Sequence, residues 1–279
     1  MEVEFVKLSP SQNMTILVTS PVDRWLYHDV AARIMAYDSV YAEQVGFVEE
    51  PGGGSEAAGC LRMAGGEFCV NASLAFCAYL VWKGEVSGAG PHRIPIEVSG
   101  ANEIIYCDIT EEEGHYLGKI SVPAPVAIET LDAEVMGVRY GFPLVRLPGI
   151  AHVIVNAGTA GTVIAGRDAF ADALIYAADP FVAEDALGIM FFDAATGVMD
   201  PYVRVRTAGT KMWERSCGSG AAAVGAYLAD MAGKSLKTDI TQPGGLITVE
   251  AAVADGRVMG MSIQGRITIA AYGKAIINP

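Results

Sequence analysis

The sequence predicts an α+β chain of two pseudo-symmetric domains, each a curved β-sheet or barrel wrapped around a central helix. Three observations lead there. One pattern is written twice: Glu67-Phe68-Cys69-Val70-Asn71-Ala72 runs on to Ala78-Tyr79-Leu80, and Arg215-Ser216-Cys217-Gly218-Ser219-Gly220 runs on to Ala226-Tyr227-Leu228. The second cysteine stands 148 positions after the first in a chain of 279 residues. The stretches that follow the cysteines, Ala72–Trp82 and Ala221–Leu228, are apolar nearly all round, as helices buried on most faces are. The expected division is residues 1–125, carrying Cys69, and 126–279, carrying Cys217.

Each element has its own signal. Glu2–Lys7 alternates in polarity and meets the Ser9-Pro10 turn, and Met14–Val18 reads as a second strand. Ser20-Pro21 supplies a cap and an early proline, and Leu26, Val30, Ile34 and Tyr37 recur with helical period, so a helix is expected over Val22–Tyr37. Val45–Val48 is a short apolar strand, and Pro51–Gly54 is a surface loop. After the first cysteine comes a helix over Ala72–Trp82, ended by Gly84–Pro91. Ile94–Val98, Ile104–Ile109 and Tyr116–Val122 read as a meander, and 123–130 as the crossing between halves. In the second half Thr162–Ala165 and Gly188–Phe192 read as strands, and Asp168–Ala177 and Ser219–Asp230 as helices. A turn at Thr241–Gly245 precedes strands near Leu246–Ala251, Gly256–Gly260 and Ser262–Tyr272.

Bulk composition narrows the function classes. Hydrophobic residues make up 52%, with a mean hydropathy of +0.34, which argues for an ordered core. No long lipid-compatible stretch and no basic-then-apolar leader is visible, so a cytoplasmic setting is expected. The formal charge of −13 disfavours nucleic acid and anionic membrane as partners. The five cysteines have no zinc-like spacing, so no metal site is expected. Glu111-Glu112-Glu113-Gly114 reads as an exposed acidic turn. Cys60, Cys77 and Cys107 read as inert buried thiols.

Cys69 and Cys217 differ from those three in their setting. The first N–H groups of a helix lack internal partners and, with the helix dipole, favour negative charge. A thiol placed there loses its proton more readily, and the same amides can hold a carboxylate. Gly218 and Gly220 let the backbone close around such an anion, while Ser219 and Asn71 offer a hydroxyl and an amide. Donors aimed at a carboxylate stabilise the charge that develops when an adjacent Cα proton is removed. One thiolate removing that proton and one thiol returning a proton to the opposite face would invert the carbon, without any cofactor. Gly158-Thr159-Ala160-Gly161-Thr162 is glycine-rich but lacks the lysine of a phosphate loop.

These segments resemble the diaminopimelate epimerase-like family of cofactor-independent amino-acid racemases and epimerases. Within it they most resemble the histidine racemases of opine-type metallophore synthesis. The resemblance rests on Gly66–Ala72, Cys217–Gly220, Ser11-Gln12-Asn13-Met14-Thr15, Glu43–Phe47 and Pro148–Val153. It implies two similar α/β domains and a cleft with Cys69 and Cys217 as acid and base. It also implies Asn71, Gly218 and Ser219 on the α-carboxylate, Asn13 on the substrate, and a homodimer. Val70 stands where the family usually has glycine. The Glu-Arg pair that serves diaminopimelate falls here on Ala208 and Gly209, while Trp213-Glu214-Arg215 lies closer to Cys217. A small amino acid with a cationic or imidazole side chain therefore suits the chain, with Glu43, Glu214 and Trp213 as candidate contacts and histidine as the first choice. An epimerase or double-bond isomerase of a related acid, or a binding protein of the same fold, stays open. His152 reads as either a hydrogen-bonded structural histidine or a catalytic one.

Overall fold

The structure, a computed structural model, describes residues 1–86, 90–157, 166–206 and 209–277. It is an α+β chain with a large mixed sheet and few helices. The chain divides into two compact units, Met1–Ser121 with Gln264–Pro279, and Val122–Ile263. The glycine-rich segment 158–162, the strand expected at 162–165 and the position of Ala208 lie outside the described residues.

The first unit contains β1 (Glu2–Pro10), β2 (Thr15–Val18), α1 (Tyr27–Met35), β3 (Gln44–Glu49), β4 (Cys60–Met63), α2 (Val70–Lys83), β5 (His92–Val98), β6 (Ile105–Glu112) and β7 (His115–Val122). β1 and β2 pair antiparallel, and β2 pairs β3 in parallel across α1. β3 and β4 pair antiparallel, and β4 pairs β5 in parallel across α2. Parallel neighbours need a crossover of this kind, because a hairpin cannot join them. β5, β6 and β7 form a meander. β7 adjoins the last strand of the chain, which also pairs antiparallel with β1, so the order returns to its start.

The second unit contains β8 (Ala127–Val135), β9 (Val138–Leu147), β10 (Ile150–Asn156), α3 (Arg167–Ala178), β11 (Ala186–Asp193), β12 (Val198–Val205), β13 (Thr210–Trp213), α4 (Gly218–Ala232), β14 (Leu236–Gln242), β15 (Gly245–Ala254) and the first part of β16 (Arg257–Ile276). Its pairings repeat those of the first. β9 and β10 are antiparallel, β10 and β11 parallel across α3, β11 and β12 antiparallel, and β12 and β14 parallel across α4. β14 and β15 then pair antiparallel. The strand flanking this series is β8 on β9, as β16 flanks β1.

The repeat is thus topological, and its sequence register is tightest at the cysteine helices. A shift of 148 carries the start of α2, Val70, onto Gly218, where α4 begins. The same shift carries the start of α1, Tyr27, onto Ile175, well inside α3. Every residue of α2 from Val70 to Leu80 is buried, and α2 touches β1, β2, β3, β5 and β6. A single helix reaches strands so far apart in order because the sheet bends around it. α4 likewise touches β9, β10, β11, β14 and β15. Both helices end on a left-handed glycine, Gly84 and Gly233, with φ of 81° and 62°. The outer helices build separate cores: α1 seats Tyr27, Val30 and Ile34 against Phe5, Ile16 and Phe47, and α3 seats Phe170 and Leu174 against Leu131, Val153 and Ile189.

Two expectations are corrected. The helix expected over 22–37 is a 3-10 turn at Arg24–Leu26 followed by α1, ended where Ala36 turns extended with ψ of 145°. The crossing expected at 123–130 is in its second part already β8, whose hairpin to β9 turns through Met136 and Gly137 at φ of 52° and 80°.

Candidate active site

Cys69 is the N-cap of α2, with an extended backbone at φ −114° and ψ 112°. Its sulfur accepts the Ala72 N–H at 3.4 Å, filling one of the helix's orphan donors. Its thiol donates to Gln44 Oε1 at 2.8 Å, at the start of β3. Beside Gln44, Glu43 accepts from Asn13 Nδ2 at 2.7 Å. Asn13 is fully buried, and its Oδ1 has no hydrogen-bond partner among the described residues. It leaves a turn in which Ser11 and Gln12 both take positive φ, 47° and 63°. The structure therefore gathers Asn13, Glu43 and Cys69 around Gln44, a residue the sequence reading passed over although it adjoins Glu43. Val70 and Asn71 are buried on the first turn of α2. The approach to Cys69 is braced by the segment after β5: Ser99 Oγ donates to Glu67 O at 2.9 Å and accepts from Met63 N at 2.9 Å. Gly100, at φ 76°, lies so close that a Cβ there would meet Phe68 N.

Cys217 is the N-cap of α4, at φ −125° and ψ 106°. It is only 4% exposed. Burial pushes its thiol well above the ordinary cysteine value, and the nearby Glu214 carboxylate pushes it further. The Ser219 hydroxyl and the Gly220 N–H oppose this without overcoming it. The helix start was expected to make this thiol the more acidic; desolvation outweighs it, because an ionised sulfur is costly where water is excluded. Ser219 Oγ lies 3.6 Å from Cys217 Sγ and 3.1 Å from His152 Nε2. His152 is fully buried, which lowers its pKa to about 3 and keeps it neutral. Gly218 and Gly220 are buried, and a Cβ on Gly220 would run into Met190 Sδ.

The turn before α4 is buttoned to the turn after β14. Cys217 N donates to Gln242 Oε1 at 2.7 Å, Gly244 N to Arg215 O at 2.7 Å, and Arg215 Nη2 to Pro243 O at 2.9 Å. Gln242 was legible in the sequence only as part of a turn. Trp213 belongs to another cluster: its Nε1 donates to Asp168 Oδ1 at 2.6 Å, and its ring packs on Tyr202 and beneath the Arg167 guanidinium.

Each unit thus presents a cysteine at the mouth of a buried crossover helix, beside the backbone N–H groups of its first turn and polar side chains. Such a mouth can take a carboxylate and exchange a proton at sulfur. All five cysteines are free, and no group of His, Cys, Asp and Glu among the described residues is placed to hold a metal. No helix among them is long and apolar enough to cross a membrane.

Comparison with known proteins agrees with this layout. The family model described as histidine racemase CntK N-terminal domain matches residues 2–276. A histidine racemase of Fusobacterium nucleatum is 30% identical over 99% of this chain and 97% of its own length. One from Staphylococcus aureus is 28% identical over 99% and 98%. In fold, the chain is similar to a probable proline racemase of Agrobacterium radiobacter K84, with a TM-score of 0.77 at 14% identity, covering 99% of this chain and 94% of that one. A hydroxyproline epimerase of Agrobacterium vitis gives 0.74 at 14% identity, covering 100% and 94%. The two cysteine-capped helices therefore sit in a member of the histidine racemase family, an isomerase of the diaminopimelate epimerase-like superfamily.

Proposed function

We propose that this enzyme racemises free histidine by a two-thiol mechanism, with Cys69 and Cys217 as the acid and base on opposite faces of Cα. In this reading two barrel-like halves, the unit Met1–Ser121 with Gln264–Pro279 and the unit Val122–Ile263, each supply one thiol. The observation that carries it is the repeated cap: each of two topologically matched units places a cysteine at the N-terminus of its central helix. The N–H groups of Gly218 and Ser219 and the Asn71 amide hold the α-carboxylate, where charge develops as Cα loses its proton. Asn13 offers its unpartnered Oδ1 to a substrate N–H. Glu43 and Glu214 supply the negative charge that suits an ammonium or imidazole group, and Val70 narrows the entry. One sulfur takes the Cα proton as the other sulfur's proton is delivered to the far face, which leaves the first sulfur protonated and the second ionised. The next turnover runs in the opposite direction or follows proton exchange with solvent. We place the enzyme in the cytoplasm, where its free thiols stay reduced, and read it as a homodimer.

The test is exchange of L-histidine in deuterated buffer. Proton NMR should show loss of the Cα–H signal together with decay of optical activity. Cys69→Ser and Cys217→Ser should each lower racemisation by about 10³-fold, the scale of losing a positioned acid or base. Turnover that persists unchanged in either variant removes the mechanism.

A further inference from the structure

We propose that Gln242 is a substrate-binding residue, its Nε2 donating to the carboxylate held at the mouth of α4; this rests on the racemase reading of that mouth. Gln242 ends β14 and is 4% exposed. Its Oε1 accepts the Cys217 N–H at 2.7 Å. That bond fixes which way the amide points, because only the oxygen of a carboxamide accepts from an N–H. Nε2 is then left with two N–H donors, and it is buried with no hydrogen-bond partner among the described residues. Oε1 and Nε2 share one carbon, so an oxygen held on the backbone of the N-cap residue places the nitrogen at the same helix mouth.

A buried donor without a partner is a net cost to the fold. A role confined to bracing the Cys217 turn needs only an acceptor, and does not account for the cost of burying the amide nitrogen. The turn is also braced without it, through Gly244 N on Arg215 O and Arg215 Nη2 on Pro243 O. What the position gains from an amide is a neutral donor beside Cys217. A lysine or arginine there could hold a carboxylate too, but its charge would draw the thiol toward permanent ionisation. An amide binds the anion and leaves the sulfur free to cycle between its two forms. The charge pattern agrees: Glu214, on the approach to α4, already raises the Cys217 thiol, so a further carboxylate arriving at this mouth needs donors, and Gln242 adds one to the backbone N–H groups.

Three probes separate the parts of the substrate: L-histidine, imidazolepropionate, which keeps the carboxylate, and histamine, which lacks it. Dissociation constants for the full chain, measured by calorimetry at about pH 8, where carboxylates are ionised, should be compared in the wild type, Gln242→Glu and Gln242→Met. Gln242→Glu keeps an oxygen for the Cys217 N–H and loses the donor. It should weaken histidine and imidazolepropionate by about tenfold or more, the scale of a hydrogen bond to a charged group, with histamine little changed. Should the glutamate variant fail to fold, Gln242→Met reads the same quantity, the ratio of imidazolepropionate to histamine affinity, which should fall by a similar factor. An unchanged ratio in a folded variant overturns the contact. Wild-type protein that shows this ratio effect yet exchanges no histidine Cα–H overturns the racemase reading and leaves the contact standing. Wild-type protein that exchanges histidine while its ratio is insensitive to Gln242 does the reverse.

Discussion

The two cysteine caps share a backbone and differ in surroundings. Both sulfurs stand at extended N-cap residues of buried crossover helices, with φ of −114° and −125°. Cys69 is half-buried, and its sulfur both accepts the Ala72 N–H and donates a hydrogen bond to Gln44 Oε1. Cys217 is buried, and its thiol is raised by burial and by Glu214. The residues after each cysteine differ too: the bulkier Val70 and Asn71 follow the first, Gly218 and Ser219 the second. Repeating a fold therefore repeats the backbone setting of a thiol but not the side chains around it.

The braces behind the caps repeat as well, and there the comparison can be broken most severely. The segment after β5 holds the Cys69 turn through Ser99 and Gly100, and the equivalent segment after β14 holds the Cys217 turn through Gln242 and Gly244. Gly100→Ala adds a Cβ at φ 76° against Phe68 N. It should cost at least about 2 kcal/mol of stability, strained backbone and overlap together. Gly114→Ala, at φ 71° with nothing near its Cβ, carries the strain alone. Urea unfolding should separate the two, and only Gly100→Ala should slow racemisation. Equal losses would mean that the loop yields and the brace is not rigid.

A smaller effect should sharpen the electrostatic half of the contrast. Glu214 stands second to burial among the causes that raise the Cys217 thiol. Glu214→Gln should lower the pH at which that thiol ionises without restoring the ordinary value, since burial stays. The thiolate ultraviolet absorbance, taken as the difference between each protein and its Cys217→Ser counterpart across a pH series, reads this directly. A titration that does not move would place the Glu214 carboxylate outside the field of the sulfur.

The cysteine helices were the most legible part of the fold, because burial on all sides writes an apolar run that periodicity cannot hide. The expected Ala72–Trp82 and Ser219–Asp230 fall inside α2 and α4. The hairpin of β8 and β9 was not legible: its turn uses Met136 at positive φ in place of asparagine or aspartate, and β9 carries Pro143. Pro201 hid β12 in the same way. At the site, cysteines and glycines announce themselves by type, and Asn13 and Glu43 by their place in the motifs. Gln44 and Gln242 do not, since a glutamine gains its role from a partner 25 residues away in either direction.

The smallest effect concerns the buried histidine behind Cys217. Folding lowers its pKa from the ordinary 6.5 to about 3, so between these values the unfolded chain binds a proton that the folded chain refuses. Stability contributed by neutral His152 is complete above about pH 6.5 and is lost as pH falls toward about 3, by up to about 1.4 kcal/mol per unit. Glu49, held at about 2 chiefly by Arg24, Tyr27 and Arg62 against its burial, adds to acid sensitivity only below its ordinary 4.5. The window between 4.5 and 6.5 therefore belongs to His152. As pH falls across it the urea midpoint of the wild type should slide downward, while that of His152→Gln, which keeps a hydrogen-bonding side chain at this position and cannot titrate, should stay nearly level. Parallel slopes would mean that His152 takes up a proton in the folded state. Ser219, 3.6 Å from Cys217 Sγ, would then face an imidazolium, and a positive charge would offset the Glu214 carboxylate that raises the thiol.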